Sequence, residues 1–240
     1  MTQKREPLCR ESEFAEIIPS LEPGDVILHR DDRFGAVNWF IGGVMIHAGI
    51  YVGNDLVVEA VSEGVKERHV RHILESDYTM VVRPIGLSKY ARDRVNHDAV
   101  NKARAIVGCD YDPLFDFCDA VEFEQIACIQ RGYVSHRWAH VAREAGITFC
   151  CTEIPYFCFY PVREQLGLFR RRNVSLFVKF LKWLGLHPGE AVIDADMYVT
   201  AHGFDLIWCS NSATPQWSAK AGASEAMMSK ISAYWAVERK

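Results

Sequence analysis

The sequence predicts an α+β fold in which a small antiparallel sheet packs against helices. Three observations carry this. Short β-rich runs crowd the first third of the chain, two of them flank a Gly53-Asn54-Asp55 turn, and a helical period follows over Ser88–Val107. In order, a short helical pattern lies near Glu11–Ile18, and "LEPGDVILHR" turns at Pro23-Gly24 into a first strand. "VMIHAGIYVGNDLVVEAV" then reads as a hairpin, and "YTMVVRPIG" as a further strand. Ala91, Val95, Ala99, Ala103 and Val107 recur every four residues with charges between them, as one face of a helix does. Helical patterns return at about Ile154–Leu166 and Val174–Leu184, and "FDLIWC" reads as a last strand. No internal repeat is present. "SNSATPQWSAKAGAS" is small, polar and linker-like, and "EAMMSKISAYWAVER" after it reads as a terminal helix whose docking the sequence leaves open.

At 240 residues, 49% hydrophobic and 24% charged, the chain has the composition of a globular domain with a sizeable core. The net charge of −4 gives no basic excess for nucleic acid. No apolar run reaches the ~20 residues of a membrane span, and the N-terminus lacks the apolar core of a signal peptide. The chain is therefore expected in the cytoplasm as synthesised, with no transmembrane segment. Its eight cysteines form no regular framework and are expected reduced and mostly buried. No Cys or His spacing suits zinc, and His136 and His140, four apart, read as a polar helix face, so neither a metal nor a cofactor is expected. "FRRRNVSLFVKFLKWLGL" mixes apolar and basic residues in a helical period. A core-facing helix with a basic outer face is the favoured reading over a membrane-surface helix.

Three residues carry the chemistry. His47 lies in an apolar strand run, where alternation puts it on one face with Gly49 and Tyr51. Glu59 lies in "LVVEAV", where a buried carboxylate is costly unless paired. A hairpin centred on Gly53 with an odd-length loop sets Glu59 directly opposite His47, whereas a two-residue Gly53-Asn54 turn sends Glu59 to the other face. The third is in "TFCCTEIPYF". Thr152 suits a helix cap, Glu153 a first turn, and Pro155 needs no donor there. Cys151 then sits at the helix mouth, where a thiolate is stabilised, and Cys150 points elsewhere as a packed thiol.

Together "PGDVIL", "HAGIYVGNDLVVEA" with Gly64-Val65 shortly after, "GCDYDPLFDF" and "CCTEIPYF" resemble, in order, the motifs of circularly permuted NlpC/P60 (papain-like) cysteine hydrolases, the YiiX-like branch. The resemblance covers roughly 22–160, and "HPGEAVIDADMYVTAHGFDLIW" is weakly similar to the family's closing segment. It implies a permuted papain-like fold with the nucleophile at a helix N-terminus, Cys151 as nucleophile, His47 as base and Glu59 as the orienting residue. Residues 1–210 would form the catalytic domain, with a helical insertion over 119–147 that bears on substrate choice, and 211–240 a linker-like segment and terminal helix. Pro155 stands where the family has an apolar residue and bears on where the helix begins. The Cys151 amide is a natural oxyanion donor, and Tyr111 is a guess at the second. The implied substrate is an amide bond in a peptidoglycan stem peptide or another peptide or isopeptide. The alternatives are a lipid ester or amide handled as in the lecithin-retinol acyltransferase-like branch, and a non-catalytic peptide-binding module. Action on cell-wall peptide would require export by a specialised secretion system, as for an antibacterial effector, and would bring in a delivery or immunity partner.

Overall fold

The computed structural model describes residues 6–32, 43–112, 148–169, 171–172 and 191–238. The element order is α1 (Glu11–Ile17), β1 (Val26–Arg30), β2 (His47–Gly53), β3 (Leu56–Val61), β4 (Gly64–His69), α2 (Arg71–Leu74), β5 (Tyr78–Pro84) and α3 (Lys89–Ala105). A parallel pair follows, β6 (Asp110–Tyr111) beside β7 (Thr148–Phe149), then α4 (Glu153–Phe159) and α5 (Arg163–Leu166). The chain continues with β8 (Arg171–Arg172), β9 (Ala191–Val192), α6 (Asp196–Thr200), β10 (Phe204–Cys209), α7 (Pro215–Lys220) and α8 (Glu225–Glu238). The expected helix at Val174–Leu184, the helical insertion at 119–147 and His136 and His140 lie outside the described residues.

Six strands form one sheet in the order β10-β5-β1-β2-β3-β4, with every neighbouring pair antiparallel. Strand alternation gives it two apolar faces. Val26, Leu28, Ala48, Ile50, Val58, Ala60, Met80 and Val82 join α3 and α4 in the larger core, where each fully buried aliphatic chain contributes roughly 1.5–3 kcal/mol. Ile27, Tyr51, Val57, Val81 and Trp208 pack with Phe14 and Ile17 of α1 and Ile73 and Leu74 of α2 in a smaller one. The chain is thus α+β, as its pattern of strand and helix signals predicts.

The central hairpin corrects the expected register. Its turn is Asn54-Asp55, both at positive φ (55° and 58°), as a type I′ hairpin requires. Glu59 pairs with Gly49, not with His47, and a bulge shifts the ladder between Tyr51 and Gly53. The carboxylate therefore shares His47's face but stands diagonal to it. Gly49, bare of a side chain, leaves that diagonal unobstructed, and a Cβ there would meet a Val57 methyl at 2.8 Å.

The stretch read as linker-like is folded. Thr214 caps α7 by accepting the Trp217 N–H, Tyr78 and Trp217 stack at 3.8 Å, and the Asn211 N–H donates to the buried Glu13 carboxylate. The terminal helix is docked as well. Lys230 Nζ donates to the carbonyls of Ala201 and Phe204, and Trp235 Nε1 to that of Ala213.

At the end of the sheet opposite His47, the fully buried Asp25 receives two 2.8 Å bonds from Arg83, one each from Nε and Nη2. The pair fastens the start of β1 to β5. Arg83→Met leaves an uncompensated buried carboxylate and is expected to destabilise the fold by about 3 kcal/mol, measured by urea denaturation.

Candidate active site

His47 opens β2, at the end of the sheet away from Asp25. Its Nε2 lies 2.8 Å from Glu59 Oε2, and Glu59 is buried at 3% exposure, with Arg68 Nη1 3.4 Å from its other oxygen. The carboxylate is held below its usual range: burial opposes the charge, but the His47 hydrogen bond and charge, Arg68 and His72 outweigh it.

Cys151 reaches His47 from the large core. Its thiol donates to the Ile46 carbonyl at 3.8 Å, just ahead of β2, and lies close enough to the imidazole for the two groups to shift each other's protonation. With Nε2 committed to Glu59, Nδ1 is the ring nitrogen left for sulfur. Burial disfavours both charged forms, yet the opposed charges prevail. The Cys151 thiol is lowered by the His47 charge and hydrogen bond and by the backbone of Ala48 and Thr152. His47 is raised to about 10 by Cys151 and then Glu59. Each group thus favours the charged form of the other.

The neighbouring cysteine goes the other way. Burial, Glu153 and Cys151 push Cys150 well up, and its sulfur contacts Thr152 Oγ1 at 3.5 Å. Thr152 occupies the cap position of α4 without capping by its side chain, contrary to the sequence expectation. The turn is closed instead by Glu153, whose carboxylate accepts the Cys150 N–H at 2.8 Å while its own N–H donates to the Cys150 carbonyl. Burial raises that carboxyl to about 8, with Asp112 and Cys151 adding to the rise. Pro155 falls in the first turn of α4, where its missing donor is harmless.

Two residues that the sequence reading did not single out hold the halves of the site in place. Asp196, at the start of α6, accepts the N–H groups of Val44 and Met45, both at 2.7 Å, and so fixes the chain that leads into His47. Arg30 Nη1 donates to the Gly43 and Val44 carbonyls from the other side. Gly43 is required there, since at φ +86° a Cβ would lie 3.0 Å from Asp194 Oδ1. Two residues along α6, buried Tyr198 donates its hydroxyl to the Thr152 carbonyl at 2.7 Å, beside Cys151. One short helix thus touches both the His47 strand and the Cys151 turn. Neither contact has a local sequence signal, because the partners lie 152 and 46 positions apart.

A further histidine faces the site. His29 pairs with His47 across β1 and β2, their rings 4.5 Å apart, and its Nδ1 lies 2.6 Å from Ser76 Oγ. His29, His47 and Glu59 each offer one donor atom, all within 4.8 Å of one another, the one such trio among the described residues. Spacing along the chain conceals this group because three adjacent strands assemble it. Among the described residues Cys9, Cys150, Cys151 and Cys209 are free thiols, all buried.

No family model and no curated protein matches the chain. Among solved structures it is similar to the crystal structure of metalloprotein yiiX (DUF1105) from Escherichia coli O157:H7. The two are 17% identical with a TM-score of 0.51, over 78% of this chain and 96% of that one. At this identity the likeness establishes the α+β fold.

Three outcomes follow from the geometry. Iodoacetamide is expected to label Cys151 with an acid limb below that of an ordinary thiol and a second inflection near 10. In His47→Ala only the backbone of Ala48 and Thr152 still favours the thiolate against burial, so the thiol rises and labelling at pH 7 falls by roughly 10–100-fold, followed by peptide mass spectrometry. Asp196→Asn turns an NH2 toward a backbone donor and frees the chain ahead of His47. It is expected to slow neutral labelling about tenfold while the melting temperature falls only a few degrees.

Proposed function

We propose that the protein is a cysteine hydrolase of amide bonds, with Cys151 as nucleophile, His47 as acid and base, and Glu59 as the group that orients the imidazole. The carrying observation is the unbroken chain of contacts from the Cys151 sulfur through the His47 ring to Glu59 Oε2, in which the thiol is lowered and the imidazole raised. That is the arrangement of an activated thiol nucleophile with its base held by a third group.

The thiolate attacks the carbonyl carbon and the electron pair moves to oxygen. The Cys151 amide, at the mouth of α4, is the first donor to that oxyanion. Tyr111, half-buried and near enough to Cys151 for the thiolate to disfavour its ionisation, is the candidate second donor. The intermediate collapses as His47 passes its proton to the leaving nitrogen, and a thioester remains. His47 then takes a proton from water, hydroxide adds to the thioester carbon, and the acid leaves as the thiolate is restored. Glu59 keeps Nε2 engaged throughout, so Nδ1 stays on the sulfur side.

The substrate class proposed first is a peptide amide, in a peptidoglycan stem peptide or an isopeptide, with a lipid ester or amide as the competing class. The structurally similar yiiX is a metalloprotein. Here the two imidazoles of His29 and His47 and the Glu59 carboxylate form a donor set that fits a divalent transition metal, and no step above runs through one.

The test is mass spectrometry of peptidoglycan digests and phospholipid extracts incubated with wild type beside Cys151→Ala. New peptide termini that appear only with the wild type support the amide reading, and released fatty acid moves the enzyme to the lipid class. An unchanged pair of mixtures removes both.

A further inference from the structure

We propose that His29, His47 and Glu59 form a binding site for a divalent transition metal of the Zn²⁺ class, placed on the side of His47 away from the thiol. Metal bound there holds the proposed enzyme in an off state. Binding needs only the trio; its effect on Cys151 rests on the catalytic reading above.

The trio is a consequence of the sheet. His29 and His47 are cross-strand partners on β1 and β2, and Glu59 lies one strand further, diagonal to His47 on the same face. Cys151 belongs to the core on the opposite face and meets His47 at the start of β2, beside the Ile46 carbonyl. His47 therefore stands between the sulfur and the other two donors. Two imidazoles and a carboxylate with room for water are a donor set that Zn²⁺ takes readily, at ~2.0–2.2 Å per bond. Three donor atoms within 4.8 Å of one another close to that geometry by side-chain rotation.

His29 has no part in the proposed reaction, and its second nitrogen is already committed. Nδ1 lies 2.6 Å from Ser76 Oγ, a contact that orients the ring, and Nε2 is assigned to the metal. Metal-ligating histidines are commonly held this way through the nitrogen that does not bind metal. Arg68 opposes the site, with Nη1 3.4 Å from Glu59 Oε1. It is 38% exposed, so solvent can take the guanidinium when metal enters.

The cost to catalysis follows from the atoms involved. His47 Nε2 and Glu59 Oε2, now 2.8 Å apart and sharing a proton, become ligands on either side of the metal, and the proton goes to solvent. With metal on Nε2 and the remaining proton on Nδ1, the imidazole has no free lone pair to take the Cys151 proton, and Glu59 no longer orients the ring.

The experiment titrates chelator-stripped, full-length protein with ZnCl2 by calorimetry and with CoCl2 by visible absorption. Wild type and Cys151→Ser are expected to bind one equivalent with equal affinity and with no thiolate-to-cobalt charge-transfer band. His29→Gln is expected to bind at least tenfold more weakly, and Ser76→Ala, which keeps all three ligands, to weaken binding in the same direction. Melting temperatures in chelator confirm that both variants fold. Zinc is expected to slow iodoacetamide labelling of Cys151 in wild type and to lose that effect in His29→Gln. Loss of binding in Cys151→Ser, a charge-transfer band, or His29→Gln binding as tightly as wild type overturns the site. Binding with unchanged labelling overturns the off state. Selective, His47-dependent labelling without zinc binding removes the metal proposal and leaves the thiol reading intact.

Discussion

The hydrogen bond between His47 and Glu59 is the constraint on which the rest of the site depends. A carboxylate at 3% exposure beside an apolar core is tolerable only with a charged or donating partner, and an imidazole at a strand end has no fixed orientation without one. Each residue supplies what the other lacks. The pairing is made by the hairpin turn: left-handed Asn54 and Asp55, with the bulge that follows, set Glu59 on His47's face. A slip of one residue in that ladder would move the carboxylate to the large core and leave it alone there. The catalytic proposal thus rests on two turn residues that touch none of the reacting groups.

The adjacent cysteines show how position, with the same residue type and nearly the same burial, sets reactivity. Cys150 and Cys151 are 1% and 5% exposed, so desolvation disfavours both thiolates. Cys151 has an imidazolium, and Cys150 has a carboxylate on its own amide. The first field lowers the thiol and the second raises it. Glu153 therefore serves the site indirectly: it closes the turn that aims one sulfur at His47, and its charge disfavours the other. Raised to about 8 by burial, it is mostly protonated at neutral pH and carries its charge only in the minor form, which keeps a second full negative charge from crowding the thiolate.

Much of this was legible from the chain alone because the signals are local. Alternation gave the strands, four-residue spacing gave Lys89–Ala105, and a buried Glu beside a buried His in neighbouring strand runs pointed to each other. The register was legible only as a choice among turns, and the turn adopted was neither of the two considered, since Asn54-Asp55 carries the left-handed pair that Gly53 had been expected to share. The capping role assigned to Thr152 went to Glu153, for a longer side chain reaches back to the Cys150 amide from inside the helix. "SNSATPQWSAKAGAS" looked like a linker because its residues are small. Small residues also fit where Ser210, Ala213 and Ser218 are buried, and composition does not separate the two cases. Asp196, Tyr198 and His29 went unmarked for a different reason. Their partners are distant in sequence, and no period or spacing encodes them.

The placement of the site follows from how unequally the two ends of the sheet are fastened. At the Asp25 end, Arg83 ties β1 to β5, the Gly24 N–H donates to the Tyr51 carbonyl, and the Tyr51 N–H to that of Asp25. Backbone donors there are consumed within the sheet. At the His47 end Ile46 N–H still bonds the His29 carbonyl, but the Val44 and Met45 N–H groups bond to Asp196 on α6, outside the sheet. There the cysteine ahead of α4 meets His47 from the large core, while His29 and Glu59 share the other face of the sheet. A histidine reached from both sides is suited to hold a proton between a thiol and a carboxylate, and by the same geometry to lose it to a cation. The two proposals for this protein are therefore one structural fact met by two ligands, a proton and a metal ion, competing for the nitrogen that faces Glu59.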